Sequence, residues 1–357
     1  MRDQQVVQVM SLAADVPYGG QWGVCRCSMY WRMTAMGAPL QLPAKLRYPY
    51  TTRSSAFCTD LHTAYWPVRR FSRIRVKQVD IVRIRKNMEL FSELGFHWNR
   101  SAVPGGVPIH SIERVAFRFY RMMPEFVWDA SVLEGNPFTF PEVKTLLEGV
   151  TIGGRKISDQ EQVLNLATSS KHLLALVKAG KFSMDKLTFT ELHGLVARNE
   201  SLEWGHFRGE GQETGYTPDV GLGEYGRYTP LATVAGAPEL NRVFTIGLQA
   251  LQTRIHQPFE RAAAFFLFGA LQQFFFDGNK RTSRFMMNGI LMSAGIDGIS
   301  VPAAKAQQFN ENMVRFYLEK DATEMMAFLV DCHPDAEQIH KLNRNKPTTE
   351  NDSGVQP

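Results

Sequence analysis

The stretch Gln273-Phe274-Phe275-Phe276-Asp277-Gly278-Asn279-Lys280-Arg281-Thr282-Ser283-Arg284 joins a strongly apolar segment to one of mixed character. Before it, residues 258–273 are apolar on nearly every face, which predicts a helix that is buried all round. After it, residues 280–294 keep helical spacing and are followed by Gly295, a residue suited to closing a helix. The stretch therefore predicts a turn between two helices, and the rest of the chain is organised around that turn.

The turn at residues 277–279 lies where the second of these helices begins. Free backbone N–H groups and the positive end of the helix dipole attract phosphate at such a position. Gly278 would let the backbone approach a ligand closely, and a single carboxylate among cations, Asp277, suits a magnesium ion that bridges phosphates. The side chains that add donors and positive charge are Asn279, Lys280, Arg281 and Arg284. Composition alone leaves two interpretations, a phosphate site and a capped, solvated helix end.

The order of residue types in this stretch resembles the signature of the Fic (Fido) family, His-Pro-Phe-x-Asp/Glu-Gly-Asn-Gly/Lys-Arg-x-x-Arg. The matching positions are Phe275, Asp277, Gly278, Asn279, Lys280, Arg281 and Arg284. Gln273 stands where the family has histidine, and Phe274 where it usually has proline. The half of the signature that binds phosphate is thus intact, whereas the histidine that acts as a base is absent.

Residues 134–136, Glu-Gly-Asn, predict a helix end with a left-handed cap. They also resemble the inhibitory motif of Fic proteins, Ser/Thr-x-x-x-Glu-Gly/Asn, in which a glutamate pairs with the second arginine of the signature. The resemblance implies that Glu134 pairs with Arg284 and occupies the space of the γ-phosphate of ATP. The Ser/Thr position of the motif holds Ala130, with Ser131 one place later. Because the motif precedes the signature, the chain resembles the subgroup with an N-terminal inhibitory helix.

A glycine-rich segment follows Gly205-His206-Phe207-Arg208, which is similar to the Gly-x-Phe-Arg piece that Fic proteins carry before their flap. The flap is a β-hairpin that aligns a protein target by strand addition. The resemblance places it at Gly215 to Pro230, where the alternative is an ordinary surface loop. As substitutes for the missing base we considered two histidines. His256 lies nearly five helical turns from Gln273, which excludes it, and His206 could approach only through a loop.

The resemblance implies a protein adenylyltransferase. In the family, the histidine takes the proton of a target Ser, Thr or Tyr hydroxyl, which attacks the α-phosphate of ATP so that AMP is transferred and pyrophosphate leaves. A glutamine amide has no titratable nitrogen and cannot act as a general base. Gln273 therefore predicts an activity lowered by a factor of roughly 10² to 10⁴.

The site residues implied by the resemblance fall into four sets. The catalytic set is Gln273 at the histidine position with Asp277, Asn279 and Arg281. The nucleotide-binding set is Gly278, Asn279, Lys280, Arg281 and Arg284. Asp277 is the implied metal ligand, Glu134 the implied inhibitory residue, and ATP and Mg²⁺ are the implied cofactors.

Two other functions stay open on the sequence. One is a non-catalytic regulatory protein that retains ATP and binds its protein target through the flap. The other follows from Lys280, because Doc proteins have lysine at this place and transfer phosphate instead of AMP. Gly278 departs from the alanine that usually accompanies that lysine.

Composition sets broader limits on the function. The net charge of +5 and the pI near 9.0 are compatible with ATP, an acidic partner or nucleic acid. A basic run over residues 69–86 has strand-like alternation, and no aromatic platform or reader motif accompanies it. We interpret it as the solvated face of a strand and do not expect a nucleic-acid partner. Four cysteines without paired spacing predict reduced thiols.

The predicted fold is mostly α, a Fic-type helical bundle with a β-hairpin flap near the active site. Helical patterns are predicted over residues 111–123, 141–148, 159–179, 184–198 with Ser183 as cap, 238–253, 301–321 and 323–330. The predicted domains are an extension of uncertain structure (1–100), a helical region with the inhibitory-like motif (101–180), a Fic core (181–335) and a disordered tail (336–357). Residues 1–66 show no helix or strand pattern.

The sequence also carries an expectation about location. Residues 1–20 lack the pattern of a signal peptide, and the most apolar run, residues 262–271, is too short to cross a bilayer. We therefore expect a cytoplasmic protein that does not engage a membrane. A homodimer is left open.

Overall fold

The computed structural model describes residues 7–18, 21–32 and 90–344. The chain divides into two compact units, Met1–Ser72 and Arg73–Pro357. In the first unit the described backbone forms one antiparallel hairpin of β1 (Val7–Tyr18) and β2 (Gln21–Arg32), with Val7 opposite Arg32 and Tyr18 opposite Gln21. The expectation of no strand pattern there is wrong for these residues, because backbone pairing defines the hairpin without the alternation by which strands are recognised. The basic run at residues 69–86 lies outside the described residues.

The described part of the second unit is a bundle of α-helices. The helices before the central pair are α1 (Ile112–Arg121), α2 (Met123–Val132), α3 (Phe140–Leu147), α4 (Ile157–Lys178), α5 (Lys186–Val196) and α6 (Pro238–Arg254). The central pair is α7 (Pro258–Gln272) and α8 (Asn279–Ser293). The helices after it are α9 (Ala306–Glu319), α10 (Thr323–Asp331) and α11 (Ala336–Arg344).

Helices α7 and α8 form the centre of the bundle and hold the turn between them in place. Every residue from 262 to 271 in α7 is buried, and burying one large apolar side chain contributes about 1.5–3 kcal/mol. The two helices approach closely at Gly269, where a Cβ would lie 2.1 Å from the Ser283 hydroxyl oxygen. The turn between α7 and α8 thus emerges from the most tightly packed part of this unit.

Helix α4 joins the region before residue 180 to the rest of the bundle. It packs against α1, α2, α5 and α8, and its buried residues Leu166 and Leu173 belong to the same hydrophobic core as α7. The predicted helical region (101–180) and the predicted Fic core (181–335) therefore share one core.

The predicted fold class is confirmed, since the described part of this unit is mostly α and includes a short hairpin. Strands β3 (Val220–Gly221) and β4 (Arg227–Tyr228) pair antiparallel, with Val220 opposite Tyr228 and Gly221 opposite Arg227. They lie inside the segment predicted as the flap. None of the described helices combines the length and the apolar character needed to cross a bilayer.

Three predicted boundaries are wrong. Helix α5 begins at Lys186, because the carboxylate of Asp185, and not Ser183, accepts from the Thr188 N–H at 2.8 Å. Helix α9 begins at Ala306, after a short 3-10 turn at Ala303–Lys305. Residues 336–344 of the predicted disordered tail form α11, whose Ile339 is fully buried. A polar segment can thus be ordered by one apolar anchor, which composition does not reveal.

Candidate active site

The turn between α7 and α8 is built on two left-handed backbone positions. Gln273 follows the last residue of α7 with φ 51°, and Gly278 precedes α8 with φ 72°. A Cβ at position 278 would lie 3.0 Å from the Cβ of Ala197, so both the backbone conformation and the space favour glycine there. Residues 274–277 form the connection between Gln273 and Gly278, directly before α8.

Asn279 fixes the shape of this turn. Its Oδ1 accepts from the Phe275 N–H at 2.9 Å, and its Nδ2 donates to the Phe275 carbonyl at 2.8 Å. The same Nδ2 donates to Oε1 of Gln273 at 3.0 Å. The side chain is buried, and these three hydrogen bonds hold the shape of the turn.

Gln273 occupies the position at which the signature has a base, and its amide is fully engaged. Its Nε2 donates to the Ala270 carbonyl at 2.6 Å and lies 3.4 Å from the Tyr317 hydroxyl. The Tyr317 hydroxyl itself donates to the Ala270 carbonyl at 2.9 Å, and burial raises the pKa of Tyr317. Neither side chain therefore supplies a proton acceptor that titrates near neutral pH.

His193 supports the turn through its ring face and both ring nitrogens. Sequence reasoning did not identify it as a residue of the site. Its Nδ1 accepts from the Gly205 N–H at 3.1 Å, so Nε2 carries the proton and donates to the Asp277 carbonyl at 3.0 Å. Its ring stacks on Phe275 with centroids 3.7 Å apart. Burial lowers the pKa of His193 to about 3. The neutral imidazole therefore supports the turn structurally. A single histidine among the apolar residues of a helix does not reveal such a supporting role in the sequence.

The start of α8 presents donors without acceptors. Among the described residues, none accepts a hydrogen bond from the backbone N–H groups of residues 279–281. The side chain of Asp277 is 62% exposed, with Oδ1 2.5 Å from the Gly278 nitrogen and 3.5 Å from Nη2 of Arg281. This is the arrangement that favours an anion at a helix start, with one accessible carboxylate beside it.

Two carboxylates cover the arginines of α8. Arg284 donates from Nη2 to Oε1 of Glu134 at 3.2 Å, and Arg281 donates from Nη1 to Oε2 of Glu200 at 2.5 Å. The second oxygen of Glu134 lies 3.8 Å from Nε of Arg281. The contact expected between Glu134 and Arg284 is therefore present, and Glu200 adds a second pair.

Burial and the neighbouring charges act on each member of this cluster differently. Burial, helped by the charge of Arg281, lowers the pKa of Arg284 although Glu134 opposes that change. Burial works against ionisation of Glu134, but the cations Lys280, Arg281 and Arg284 outweigh it and lower its pKa. Burial likewise opposes the charge of Arg281, yet the neighbouring carboxylates raise its pKa. Within the described chain, Nε of Arg281 and Nη1 of Arg284 are buried without a hydrogen-bond acceptor. Some donors of the two arginines are therefore unused.

Glu200 lies in the turn after α5 and is held from the opposite side by α4. Its Oε2 accepts from Nε2 of Gln162 at 2.9 Å, and its Oε1 lies 3.3 Å from Nδ2 of Asn165. Sequence reasoning did not predict this contact, because a glutamate just past a predicted helix end is usually a solvated side chain.

Arg208, from the Gly-x-Phe-Arg piece, ties the flap segment to the turn. Its backbone N–H donates to the Phe274 carbonyl at 2.9 Å. Its guanidinium donates to the Gln273 carbonyl at 2.7 Å, the Thr233 hydroxyl at 2.7 Å and the Leu231 carbonyl at 2.5 Å. Burial lowers the pKa of this arginine to about 10. The end of the flap segment and the position of Gln273 are thus fixed by one side chain.

The flap hairpin packs against the C-terminal end of α9. Tyr228 of β4 packs against Tyr317 with ring centroids 5.2 Å apart. The ammonium of Lys320 lies 3.8 Å from the centre of the Tyr228 ring, and burial lowers the pKa of Lys320 to about 8. Because Tyr317 also contacts Gln273, the hairpin and the turn share a neighbour.

The structure does not bring either alternative histidine to Gln273. His206 has its Nδ1 3.2 Å from the Phe207 carbonyl, and its ring faces Gly211. His256 lies before α7, at the opposite end of that helix from Gln273.

The amino-acid sequence was also compared with known protein families. Residues 184–291 match the model of the Fic/DOC family. The chain carries a domain of the Fic/DOC family. The Fic/DOC match begins just before α5 and ends within α8, so it includes the hairpin and the turn before α8 and does not reach Glu134.

Curated relatives of the Fic/DOC domain are similar over a longer region. "Protein adenylyltransferase Fic" of Drosophila grimshawi is 25% identical over 210 residues, which cover 58% of this chain and 41% of that protein. "Protein adenylyltransferase fic-1" of Caenorhabditis elegans is 27% identical over 198 residues, which cover 53% of this chain and 36% of that protein. The match thus spans about two fifths of the length of these relatives.

A solved structure shows the same fold. A Fic domain containing signaling protein from Bacteroides thetaiotaomicron superposes with a TM-score of 0.50 and 18% identity, covering 72% of this chain and 93% of that one.

Proposed function

We propose that this protein is a Fic-type protein adenylyltransferase whose proton-transfer step is impaired by Gln273. The observation that carries the proposal is the start of α8, where free backbone N–H groups, Arg281 and Arg284 converge beside the exposed carboxylate of Asp277. The names of the curated relatives support transfer of AMP to a protein as the reaction class.

The proposed nucleotide site uses the chain's own groups for binding and charge. The free backbone N–H groups of residues 279–281, which follow Gly278, and the guanidinium of Arg281 would hold the inner phosphates. Arg284 would hold the γ-phosphate. A magnesium ion fits here because it takes one or two carboxylates together with phosphate oxygens, and Asp277 offers one accessible carboxylate. Asp277 would hold the ion, and the chemistry supplied there would be neutralisation of part of the phosphate charge.

The described conformation corresponds to a closed site in this proposal. Glu134 accepts from Nη2 of Arg284 and would compete with a γ-phosphate for this arginine, so we expect ATP to displace Glu134. Breaking a buried pair of this kind is costly unless a new anion replaces the carboxylate. A triphosphate supplies that anion, and Glu134 would therefore act as an inhibitory residue.

The weak step is the removal of a proton from the target hydroxyl. Its oxygen must bond to the α-phosphorus as the bond to the β-phosphate oxygen breaks, and the proton must pass to an acceptor. The amide of Gln273 cannot take it. Positioning and charge stabilisation would survive, since they carry most of the acceleration in phosphoryl-type transfer.

A second candidate is a non-catalytic protein that binds ATP and a protein target. It is favoured by the state of Gln273, whose amide is buried and bonded at both ends. A residue held in this way is suited to maintaining the turn, and such a protein would need no base.

Incubation with α-labelled ATP, Mg²⁺ and cell lysate separates these candidates. The proteins to compare are the unaltered chain, Gln273→His, Glu134→Gly and the double variant Gln273→His/Glu134→Gly. We expect protein-bound label to be weak or absent in the first and strong in the last. Histidine is among the residues that tolerate a left-handed backbone, so position 273 can accept it.

Three outcomes are distinguishable in this experiment. Label in the unaltered protein would mean that another group serves as the base. If ATP binds but even the double variant transfers nothing, the non-catalytic candidate is supported and the adenylyltransferase proposal fails. In a parallel incubation with γ-labelled ATP, transfer of that label in place of the α-label would instead indicate the phosphate transfer that Lys280 leaves open.

A further inference from the structure

Glu200 differs from Glu134 in how it is held. Glu134 follows the end of α2 and faces both arginines of α8. Glu200 faces Arg281 alone at 2.5 Å, and on its other side it accepts from Gln162 and lies 3.3 Å from the Asn165 amide. An anion that displaces Glu134 therefore leaves Glu200 where it is.

The charges of the site explain why this matters. Three cations, Lys280, Arg281 and Arg284, are matched by three carboxylates, Glu134, Glu200 and Asp277. Once Glu134 has been displaced, the three cations and the two remaining carboxylates give the site a net charge of +1. If the charge of Glu200 were also removed, the net charge facing the phosphates would be +2. Because Arg281 is only 3% exposed, water screens this cluster weakly.

We propose that Glu200 is a specificity-determining residue of the phosphate site, whose fixed charge beside Arg281 reduces the preference for nucleotides with more phosphates. The inference rests on the proposed function, because it assumes that a nucleotide binds at the start of α8. It assigns Glu200 an electrostatic role that remains after Glu134 has been displaced. Such a residue sets how strongly the site favours ATP over ADP and AMP.

The test measures the dissociation constants of AMP, ADP and ATP with Mg²⁺ by calorimetry on the full chain. The variants are Glu134→Gly and Glu134→Gly/Glu200→Gln, with the unaltered protein and Glu200→Gln beside them. Glutamine keeps the hydrogen bonds to Arg281 and Gln162 while it removes the charge. We expect Glu200→Gln to tighten binding by a factor that increases from AMP through ADP to ATP and reaches roughly tenfold for ATP.

A matched control is Glu142→Gln, which removes a glutamate that pairs with Arg155 at 2.7 Å outside the α8 site. It should leave all three dissociation constants unchanged. If Glu200→Gln fails to fold, Asn165→Lys serves in its place, because it sets a cation beside Glu200 without touching Arg281. It should tighten binding by a factor that likewise increases from AMP through ADP to ATP.

Two results would overturn the inference while the proposed function stands. An equal change for AMP, ADP and ATP would mean that Glu200 only supports the structure. Weaker binding of ATP in Glu200→Gln would mean that Glu200 aims Arg281 at the phosphates and that its charge does not oppose them. No binding of any nucleotide by any variant would instead reject the proposed function, and the inference with it.

Discussion

At Gln273, a left-handed backbone and a buried amide occur in one residue. The chain must turn there to leave α7, and the amide is bonded to Ala270 on one side and to Asn279 on the other. Residue identity in the signature predicted the loss of a base. It did not predict that the replacement would be built into the hydrogen bonding of the turn, because those partners come from α7, α8 and α9.

His193 gives a prediction about acid stability. Its pKa is lowered to about 3 by burial, whereas an unfolded histidine titrates near 6.5. The unfolded chain therefore binds more protons than the folded chain between these values, and stability falls as pH falls through that window. This residue alone should cost about 2 kcal/mol of unfolding free energy between pH 7 and pH 5, measured by urea unfolding at both values.

The matched comparison for this prediction uses His193→Phe and His256→Phe. Phenylalanine at 193 keeps the stack on Phe275 but removes the bonds to Gly205 and Asp277, which should cost about 1–3 kcal/mol at pH 7 and abolish the acid-dependent part. His256 is exposed, so the variant His256→Phe should keep the same loss of stability between pH 7 and pH 5 as the unaltered protein. An equal pH dependence in all three proteins would show that other groups cause it.

At the scale of elements, the flap hairpin is short and depends on its seat. Strands of two residues each contribute few hydrogen bonds, so the contacts of Tyr228 with Tyr317 and Lys320 must hold them. Aromatic and cation–π contacts of this kind contribute about 0.5–1.5 kcal/mol each. We expect Tyr228→Ala to accelerate amide hydrogen exchange over residues 220–228 by roughly 3- to 10-fold.

Tyr225 provides the control for the flap, since it lies in the same hairpin and is 62% exposed. Tyr225→Ala should leave exchange over residues 220–228 nearly unchanged. Equal acceleration in both variants would mean that the hairpin does not rely on its seat against α9.

Helix α11 depends on one buried side chain. Ile339 is fully buried in an otherwise polar segment. We expect Ile339→Ala to lower the unfolding free energy by about 2–4 kcal/mol in chemical denaturation. Leu342→Ala, at a half-exposed position on the same helix, should cost far less. Similar losses in the two variants would argue that α11 is not anchored through Ile339.

For the whole molecule, sequence reasoning succeeded where local patterns are strong. The apolar helix α7, the turn and the start of α8 were all predicted, because burial and capping leave periodic and positional signals. Glu200, His193 and the seat of Tyr228 were not, because each depends on contacts between elements far apart in the chain. The partner of Arg284 was predicted only through a resemblance, since nothing local in residues 134–136 indicates an ion pair.

The shared core gives a prediction about the isolated domain. Residues 184–291 match the family model, yet α4 packs across α5 and α8 from outside that range. We expect a fragment of residues 184–291 to show no cooperative thermal transition, whereas the full chain shows one, as followed by circular dichroism. A cooperative transition in the fragment would mean that the family region folds without α4.

Closure of the α8 site by Glu134 is tested by calorimetry, which gives the affinity of ATP with Mg²⁺ for the unaltered protein and for Glu134→Gly. If the start of α8 is a phosphate site closed by Glu134, the variant should bind at least about tenfold more tightly, since Arg284 no longer has to exchange a carboxylate for a phosphate. Glu142→Gln should match the unaltered protein. Equal binding by the unaltered protein and Glu134→Gly would contradict closure by Glu134, and no binding by either would contradict the phosphate site itself.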